Sequence, residues 1–396
     1  MDDFWDVIIV GGGVIGSASA YFLMANPDFK GRVLVVERDP TYQDCSTARS
    51  AGGIRQQFST PENIQMSQFA VEFLSNLSET LSVDGEQPEV TMTENGYLVL
   101  ASADGQATIE ENVAIQHEYG AKTVLLQGDE LAAQFPWLNT EDLAVGSFGP
   151  ENEGWIDPYA LLQAFRKKAR SLGAVFVQDE VVDVIRDDDR VTGVRMESCG
   201  EISCNWLVNA AGPRAGTIAA AAGIHMPVRP RKRFIYVFDC HDGSQKPPPN
   251  MPLTFDPTGT YVRPEGKFFI CGKAPAPSDD PDCLDLDVDH DYFDNAIWPD
   301  LAHRIPAFEA IKVVNSWAGH YAYNTLDQNA IIGAHPDVEN MFFANGFSGH
   351  GLQQSPAVGR AISELIIQDR FVSLDLTRFG FDRIMTETPI LEKNVY

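Results

Sequence analysis

Basic residues are scarce in this chain: 29 lysines and arginines stand against 56 aspartates and glutamates in 396 residues, a formal net charge of −27. Such a surface repels polyanions over any long approach, so neither nucleic acid nor an anionic lipid surface is expected as a partner. Cysteine is scarce too. Cys45, Cys199, Cys204, Cys240, Cys271 and Cys283 form no C-x-x-C pair and no metal spacing with histidine, which predicts reduced thiols, a reducing compartment and no metal site. No run of about eighteen apolar residues occurs, so no membrane-spanning helix is expected. The first apolar run starts almost at Met1, which leaves no room for a signal or transit peptide. A cytoplasmic location follows, or a mitochondrial one for a processed eukaryotic form.

A hydrophobic content of 44% over this length supports two well-packed domains. The most informative stretch is the N-terminus: Val7-Ile8-Ile9-Val10, then Gly11, Gly13 and Gly16, then Val33-Leu34-Val35-Val36 closing on Glu37. A buried strand enters a tight turn at Gly11, Gly13 lets backbone approach a pyrophosphate, and Gly16 lets the following helix (Ala18, Tyr21, Phe22, Leu23) pack on the sheet. That helix N-terminus faces the phosphates. Glu37 stands where a carboxylate accepts from ribose hydroxyls, which disfavours a 2′-phosphate and so argues against NADP.

Further along, residues 62 to 81 carry helical spacing, 96 to 100 read as a strand, and Pro158 to Leu172 as a helix. Strands are expected at 173 to 177, 180 to 184 and 191 to 195, then an apolar strand from Trp206 ending in Ala210-Ala211-Gly212. Between Arg229 and Ala318 the pattern turns to β-type runs broken by a Pro-rich loop at 247–252 and an acidic loop at 278–291. The acidic stretches read as solvated loops. The basic cluster Arg229, Arg231, Lys232 and Arg233 reads as a charged strand edge near a substrate funnel, or as a partner site. Met341 to Ala344 then lead into Gly346-Phe347-Ser348-Gly349-His350-Gly351 and a helix from about Ser355 to Ile367. This second strand-turn-helix makes a discontinuous nucleotide-binding domain of 1–90, 151–228 and 320–396. The inserted domain is 91–150 and 229–319.

With these three segments in that order, the chain resembles the D-amino-acid oxidase superfamily of FAD enzymes, which includes sarcosine, dimethylglycine and glycine oxidases. The resemblance covers nearly the whole chain. It implies an α/β fold: a Rossmann-like FAD-binding domain of the glutathione-reductase type with an inserted, mostly antiparallel β substrate domain. The runs 32–39, 52–54, 61–65, 230–233 and 346–354 are most similar to a mitochondrial branch of the family associated with assembly of a respiratory complex. By this resemblance Gly11, Gly13, Val14, Ile15, Gly16, Glu37 and Arg38 hold the ADP half of FAD. Ser46, Thr47 and Ala48 cross the flavin, Val181 or Val182 flanks the adenine, and Ala211-Gly212 the pyrophosphate. The turn with Gly346 and Ser348, together with Gly349, His350, Gly351, Leu352 and Gln353, meets the pyrimidine side, where backbone N–H groups stabilise charge as hydride arrives.

The resemblance also places Arg55 on a carboxylate-binding arginine, which suits the bidentate guanidinium fork; an internal acid is the competing partner. A lysine that shares this carboxylate in relatives falls on Gln353. Tyr261, His320, Tyr321 and Tyr323 line the substrate pocket, with His320 the candidate base and His350 packing under the flavin turn. FAD is expected to be non-covalent, because the cysteine and histidine anchors of relatives fall near Gly319-His320 and near Arg49. An oxygen-activating lysine of the oxidases falls on Ile270, with Lys267 and Lys273 nearby. The implied activity is oxidation of the C–N bond of a secondary amine or N-substituted amino acid, with a quinone or an electron-transfer flavoprotein as acceptor. A flavin-stabilised assembly factor and a hydroxy-acid dehydrogenase are the alternatives.

Overall fold

The structure is a computed structural model that describes residues 2–240 and 246–393. The first strand, Phe4–Val10, lies at the centre of a parallel sheet between Val33–Glu37 and Gly200–Asn209. Val175–Gln178 extends the sheet on one side and Val338–Asn345 on the other, both parallel to their neighbours. Successive residues of the first strand point to opposite faces, and both faces are covered. Val7 and Ile9 enter one apolar cluster, Ile8 and Val10 another. That two-sided burial explains a run with no polar alternation.

The helix Val14–Ala25 lies on one face against Pro158–Ser171 and Gly351–Gln368. Two glycines set how closely these parts meet. A Cβ on Gly16 would stand 1.9 Å from the Gly11 carbonyl oxygen, and one on Gly359 would stand 2.7 Å from the Ala18 backbone. The helix Gly351–Gln368 begins four residues before its expected start and carries Pro356 inside it. Proline has no N–H for the Leu352 carbonyl. The Ser355 hydroxyl donates to that carbonyl instead, at 2.8 Å.

The second sheet is mostly antiparallel. It runs Ile311–Asn324, Val228–Cys240, Phe268–Gly272, Tyr261–Glu265, Leu253–Phe255, Tyr97–Ala101, Val145–Gly149, Val124–Gln127, with Leu253–Phe255 and Tyr97–Ala101 parallel. Ile311–Asn324 pairs with Val228–Cys240 from end to end, so the boundary drawn between 319 and 320 falls inside one strand. This strand therefore carries His320, Tyr321 and Tyr323 into the region of the C-terminal turn.

The loop that follows this strand is held by a buried ion pair. Arg383 Nε meets Asp327 at 2.8 Å, and Asp327 also accepts from Asn324 Nδ2, Asn329 N and Ile390 N. Neither side chain is more than 5% exposed. Removing one member leaves the other charged and unpaired in the interior. Arg383→Met should therefore lower the unfolding free energy by about 3–5 kcal/mol in urea titrations; a loss below about 1 kcal/mol would show that the pair anchors nothing.

Candidate functional site

A cavity of about 850 Å³ runs between the two sheets. One end is the glycine turn. Gly11, Gly13, Val14 and Ile15 line it with Glu37, Arg38 and Asp39. A Cβ on Gly13 would meet only the Thr47 hydroxyl, at 3.6 Å, so this backbone is open to a ligand. Glu37 is fixed from behind: its Oε2 accepts from Gly12 N at 2.8 Å and its Oε1 from Asp39 N at 2.9 Å. Burial raises the pKa of this carboxyl, against those two N–H groups. The remaining lone pairs stay available to hydroxyl donors. Ser46 and Thr47 line the next part of the wall, with Thr47 Oγ1 accepting from Val14 N at 3.2 Å. Ala211 and Gly212 line it too.

Several expected residues do not reach the wall. Gly16 is spent on its contact with Gly11, and Ala48 and Gly346 stand behind the surface. Val181 and Val182 are absent from the wall as well. Strand alternation turns Val181 into an apolar cluster and leaves Val182 exposed.

The far end is the C-terminal turn. Ser348 has φ +50°, donates its N–H to the Ala322 carbonyl at 3.0 Å, and accepts from Asn324 N at 3.0 Å. The turn is thereby fastened to the strand Ile311–Asn324. Gly349, His350, Gly351, Leu352 and Gln353 line the cavity where the helix Gly351–Gln368 begins. Its first-turn N–H groups face this end and favour negative charge there.

Arg55 stands beside this turn, buried. Its backbone N–H donates to Gln353 Oε1 at 2.8 Å, and its guanidinium donates to the Tyr97 hydroxyl at 3.3 Å and to His350 Nε2 at 3.1 Å. Gln353 thus holds the arginine's backbone. A guanidinium only donates, so His350 Nε2 carries the lone pair and Nδ1 the proton. Burial first, and Arg55 second, push the His350 pKa down to about 3, which keeps the ring neutral. Its edge meets Phe58, with centroids 5.1 Å apart.

Sequence reasoning missed Glu153, whose only mark in the sequence is an acid between turn residues. It is buried beneath the Arg55 segment, accepting from Gln56 N at 2.6 Å and Gln57 Nε2 at 2.7 Å. Burial lifts its pKa to about 7, partly offset by those donors and by the Arg55 charge.

The side walls are aromatic. Tyr97, Phe255 and Tyr261 stack in series, with centroids 5.6 and 5.2 Å apart. Burial holds the Tyr261 phenol well above its usual range. His320 Nε2 lies 3.2 Å from the Asp285 carbonyl. A carbonyl only accepts, so Nε2 carries the proton and Nδ1 the lone pair; burial lowers this ring's pKa. Ile270 is buried with Ile235 and Val237 beside Ala51 and does not line the cavity. Lys273 does line it, with its ammonium 2.7 Å from Asp300.

The basic cluster is not a free surface. Arg229 and Arg231 pair with Asp282, Lys232 with Asp285, and Arg233 with Asp280. The acidic loop is correspondingly not a purely solvated one: three of its carboxylates strap it to the basic strand. Arg233 lines the cavity, with Tyr321 and Tyr323 against its guanidinium at 5.0 and 5.9 Å.

The Glu153 carboxyl gives a pH signature. Between about 4.5 and about 7 the unfolded chain has lost this proton while the native state keeps it, so the contribution to stability falls as pH rises. The full penalty, about 3 kcal/mol, applies above pH 7. Glu153→Gln should therefore be more stable relative to wild type at pH 8 than at pH 5 in urea titrations. An equal difference at both pH values would place this proton elsewhere.

The family model described as FAD dependent oxidoreductase, the DAO model, matches residues 6–365. The chain is 47% identical to the FAD-dependent oxidoreductase domain-containing protein 1 of Xenopus laevis, over 98% of this chain and 84% of that protein. It is 24% identical to the monomeric sarcosine oxidase of Bacillus sp. (strain B-0618), over 97% of each chain. Among solved structures, L-proline dehydrogenase from P. horikoshii superposes with a TM-score of 0.84 at 26% identity, covering 98% of this chain and 99% of that one. No helix among the described residues is long and apolar enough to cross a membrane. A glycine turn at one end of the cavity, a second strand-turn-helix at the other, and a family match spanning both show that this chain belongs to the DAO family of FAD-dependent oxidoreductases.

Proposed function

We propose that the protein oxidises the C–N bond of a secondary amine or N-substituted amino acid. The observation that carries this reading is Arg55: a buried guanidinium at the cavity wall, beside the C-terminal turn and next to the Tyr97–Phe255–Tyr261 stack. The cavity fits FAD, with open backbone at Gly13, an acceptor carboxylate at Glu37 and a helix N-terminus at Gly351. When bound, FAD supplies the hydride acceptor. The absence of a cysteine near Gly319-His320 and of a histidine at Arg49 supports non-covalent attachment.

In this reading Arg55 orients the substrate carboxylate, with Tyr97 and His350 fixing its plane and Gln353 its backbone. The aromatic walls exclude water and hold the amine. Hydride departs only from a neutral amine, because a protonated nitrogen has no lone pair to donate. His320 Nδ1, unprotonated and in a ring whose pKa is lowered, takes that proton. The FAD unit and substrate unit follow the division given above, except that the boundary at 319/320 lies within the strand Ile311–Asn324. Six free cysteines support a reducing compartment, the cytoplasm, or the mitochondrion for a processed eukaryotic form.

Anaerobic addition of N-alkyl amino acids to the holoenzyme should bleach the flavin absorbance. Arg55→Ala should keep the flavin but raise KM for a carboxylate-bearing amine, at a binding cost of about 2–4 kcal/mol, with Arg55→Lys recovering part. If no amine bleaches the wild-type flavin, the reading is wrong. A hydroxy acid that bleached it would make the protein a hydroxy-acid dehydrogenase, and co-purification of a partner complex would favour the assembly role.

The acceptor is proposed to be a quinone or an electron-transfer flavoprotein. Ile270 lies outside the cavity wall and brings no charge to it, and the Lys273 ammonium, which does line the wall, is neutralised by Asp300. Reduced holoenzyme should reoxidise slowly in air-saturated buffer and quickly with an artificial quinone. Fast reoxidation with stoichiometric hydrogen peroxide would reverse this assignment and point to Lys273.

A further inference from the structure

Arg233 is another guanidinium in the wall of the same cavity, and its partner is a carboxylate. Its Nη1 and Nη2 meet the two carboxylate oxygens of Asp280 at 2.7 and 2.8 Å, a bidentate end-on pair. The arginine is rigidly placed. Nη1 also donates to the Lys232 carbonyl at 2.8 Å, Tyr321 and Tyr323 lie against the guanidinium, and the residue belongs to a strand paired on both sides. The aspartate is placed otherwise. It follows a single 3-10 turn, Pro277–Asp279, in a strap whose neighbours Ser278, Asp279, Pro281 and Asp282 are all exposed. The strap's other charged ties, Asp282 and Asp285 to Arg229, Arg231 and Lys232, involve carboxylates 51% exposed to water. These ties, together with Cys283 N on the Pro230 carbonyl at 2.9 Å, hold the strap on the C-terminal side of Asp280.

We propose that Arg233 is a binding subsite for a second carboxylate on the substrate, and that Asp280 occupies it until the substrate displaces the Asp280 carboxylate. This rests on the proposed reading of Arg55 as the site of the first carboxylate, and names the substrate class: a secondary amine with a carboxylate on each arm. The exchange is carboxylate for carboxylate, so Arg233 is never left buried and unpaired, and the released Asp280 passes into water where its charge is well solvated. The two arginines lie along one run of contacts. Arg55 meets His350; the position of a Cβ on the adjacent Gly349 lies 2.7 Å from the Tyr321 ring; and that ring stacks on Arg233. A substrate held at both ends therefore lies across the C-terminal turn.

The test uses the holoenzyme and two matched ligand series: N-(carboxyalkyl)glycines with one to five methylenes, and N-alkylglycines of the same lengths. Kd is read from the concentration dependence of the anaerobic flavin-bleaching rate in rapid mixing, or from the flavin difference spectrum for members that do not reduce it. At least one carboxyalkyl member should bind tenfold or more tightly than its alkyl counterpart. Arg233→Gln should bring that ratio to about one while leaving N-alkylglycine binding in place. Asp280→Asn, which removes the built-in competitor, should tighten the carboxyalkyl ligand several-fold. If Arg233→Gln loses its flavin, Arg233→Lys and Asp280→Asn decide in its place. A ratio near one at every length in the wild type, or a ratio that survives replacement of Arg233, overturns the proposal while Arg55-dependent binding of the alkyl series stands. Failure of both series to bind overturns the reading of Arg55 and this inference with it.

Discussion

The architecture depends on a contact between main-chain atoms. Gly16 lies so close to the Gly11 carbonyl that no side chain fits between them, and this contact fixes the angle at which the helix Val14–Ala25 leaves the central strand. The C-terminal helix packs on the same helix through Gly359. Both ends of the cavity are therefore referred to one short helix. Main-chain surfaces have no rotamers to adjust, so error in their relative position is small, which is what a ligand held at both ends requires.

Several cations that line the cavity have a counter-charge beside them. Asp300 neutralises Lys273, Asp280 neutralises Arg233, and Glu153 lies beneath Arg55 as a buried, partly ionised acid. In a chain with a net charge of −27, counter-ions for arginine are plentiful, and what differs between sites is how firmly each is held. Asp327 accepts four polar partners in the interior. Asp280 hangs from an exposed strap. Similar ion pairs therefore do different work: one keeps a loop in shape, the other is exchangeable.

Much of this was legible in the sequence. The apolar run Val7 to Val10, the spacing of Gly11, Gly13 and Gly16, and Glu37 at the end of the second strand are local patterns, and local patterns survive without knowledge of tertiary contacts. The helix Gly351–Gln368 starts before Ser355 because the Ser355 hydroxyl, bonded to the Leu352 carbonyl, makes an interior Pro356 tolerable. The pairing of residues 229–233 with the acidic loop could not be read, since neither partner's periodicity names the other. Glu153 was equally invisible. A lone acid in a turn looks solvated until the packing of Gln56 and Gln57 over it is known.

The sheet order also bears on how the chain comes to be folded. The central strand is flanked by Val33–Glu37, made almost at once, and by Gly200–Asn209, with Val7 opposite Trp206. At a synthesis rate of ~5–20 residues per second, that second neighbour emerges roughly 10–40 s after the first strand. During the interval one edge of a strand made of valine and isoleucine has no hydrogen-bonding partner, and the far wall of the cavity does not yet exist. A nascent chain of this kind carries an open strand edge until about half of it is made, and the two ends of the cavity come together only after residues 346–353 have emerged.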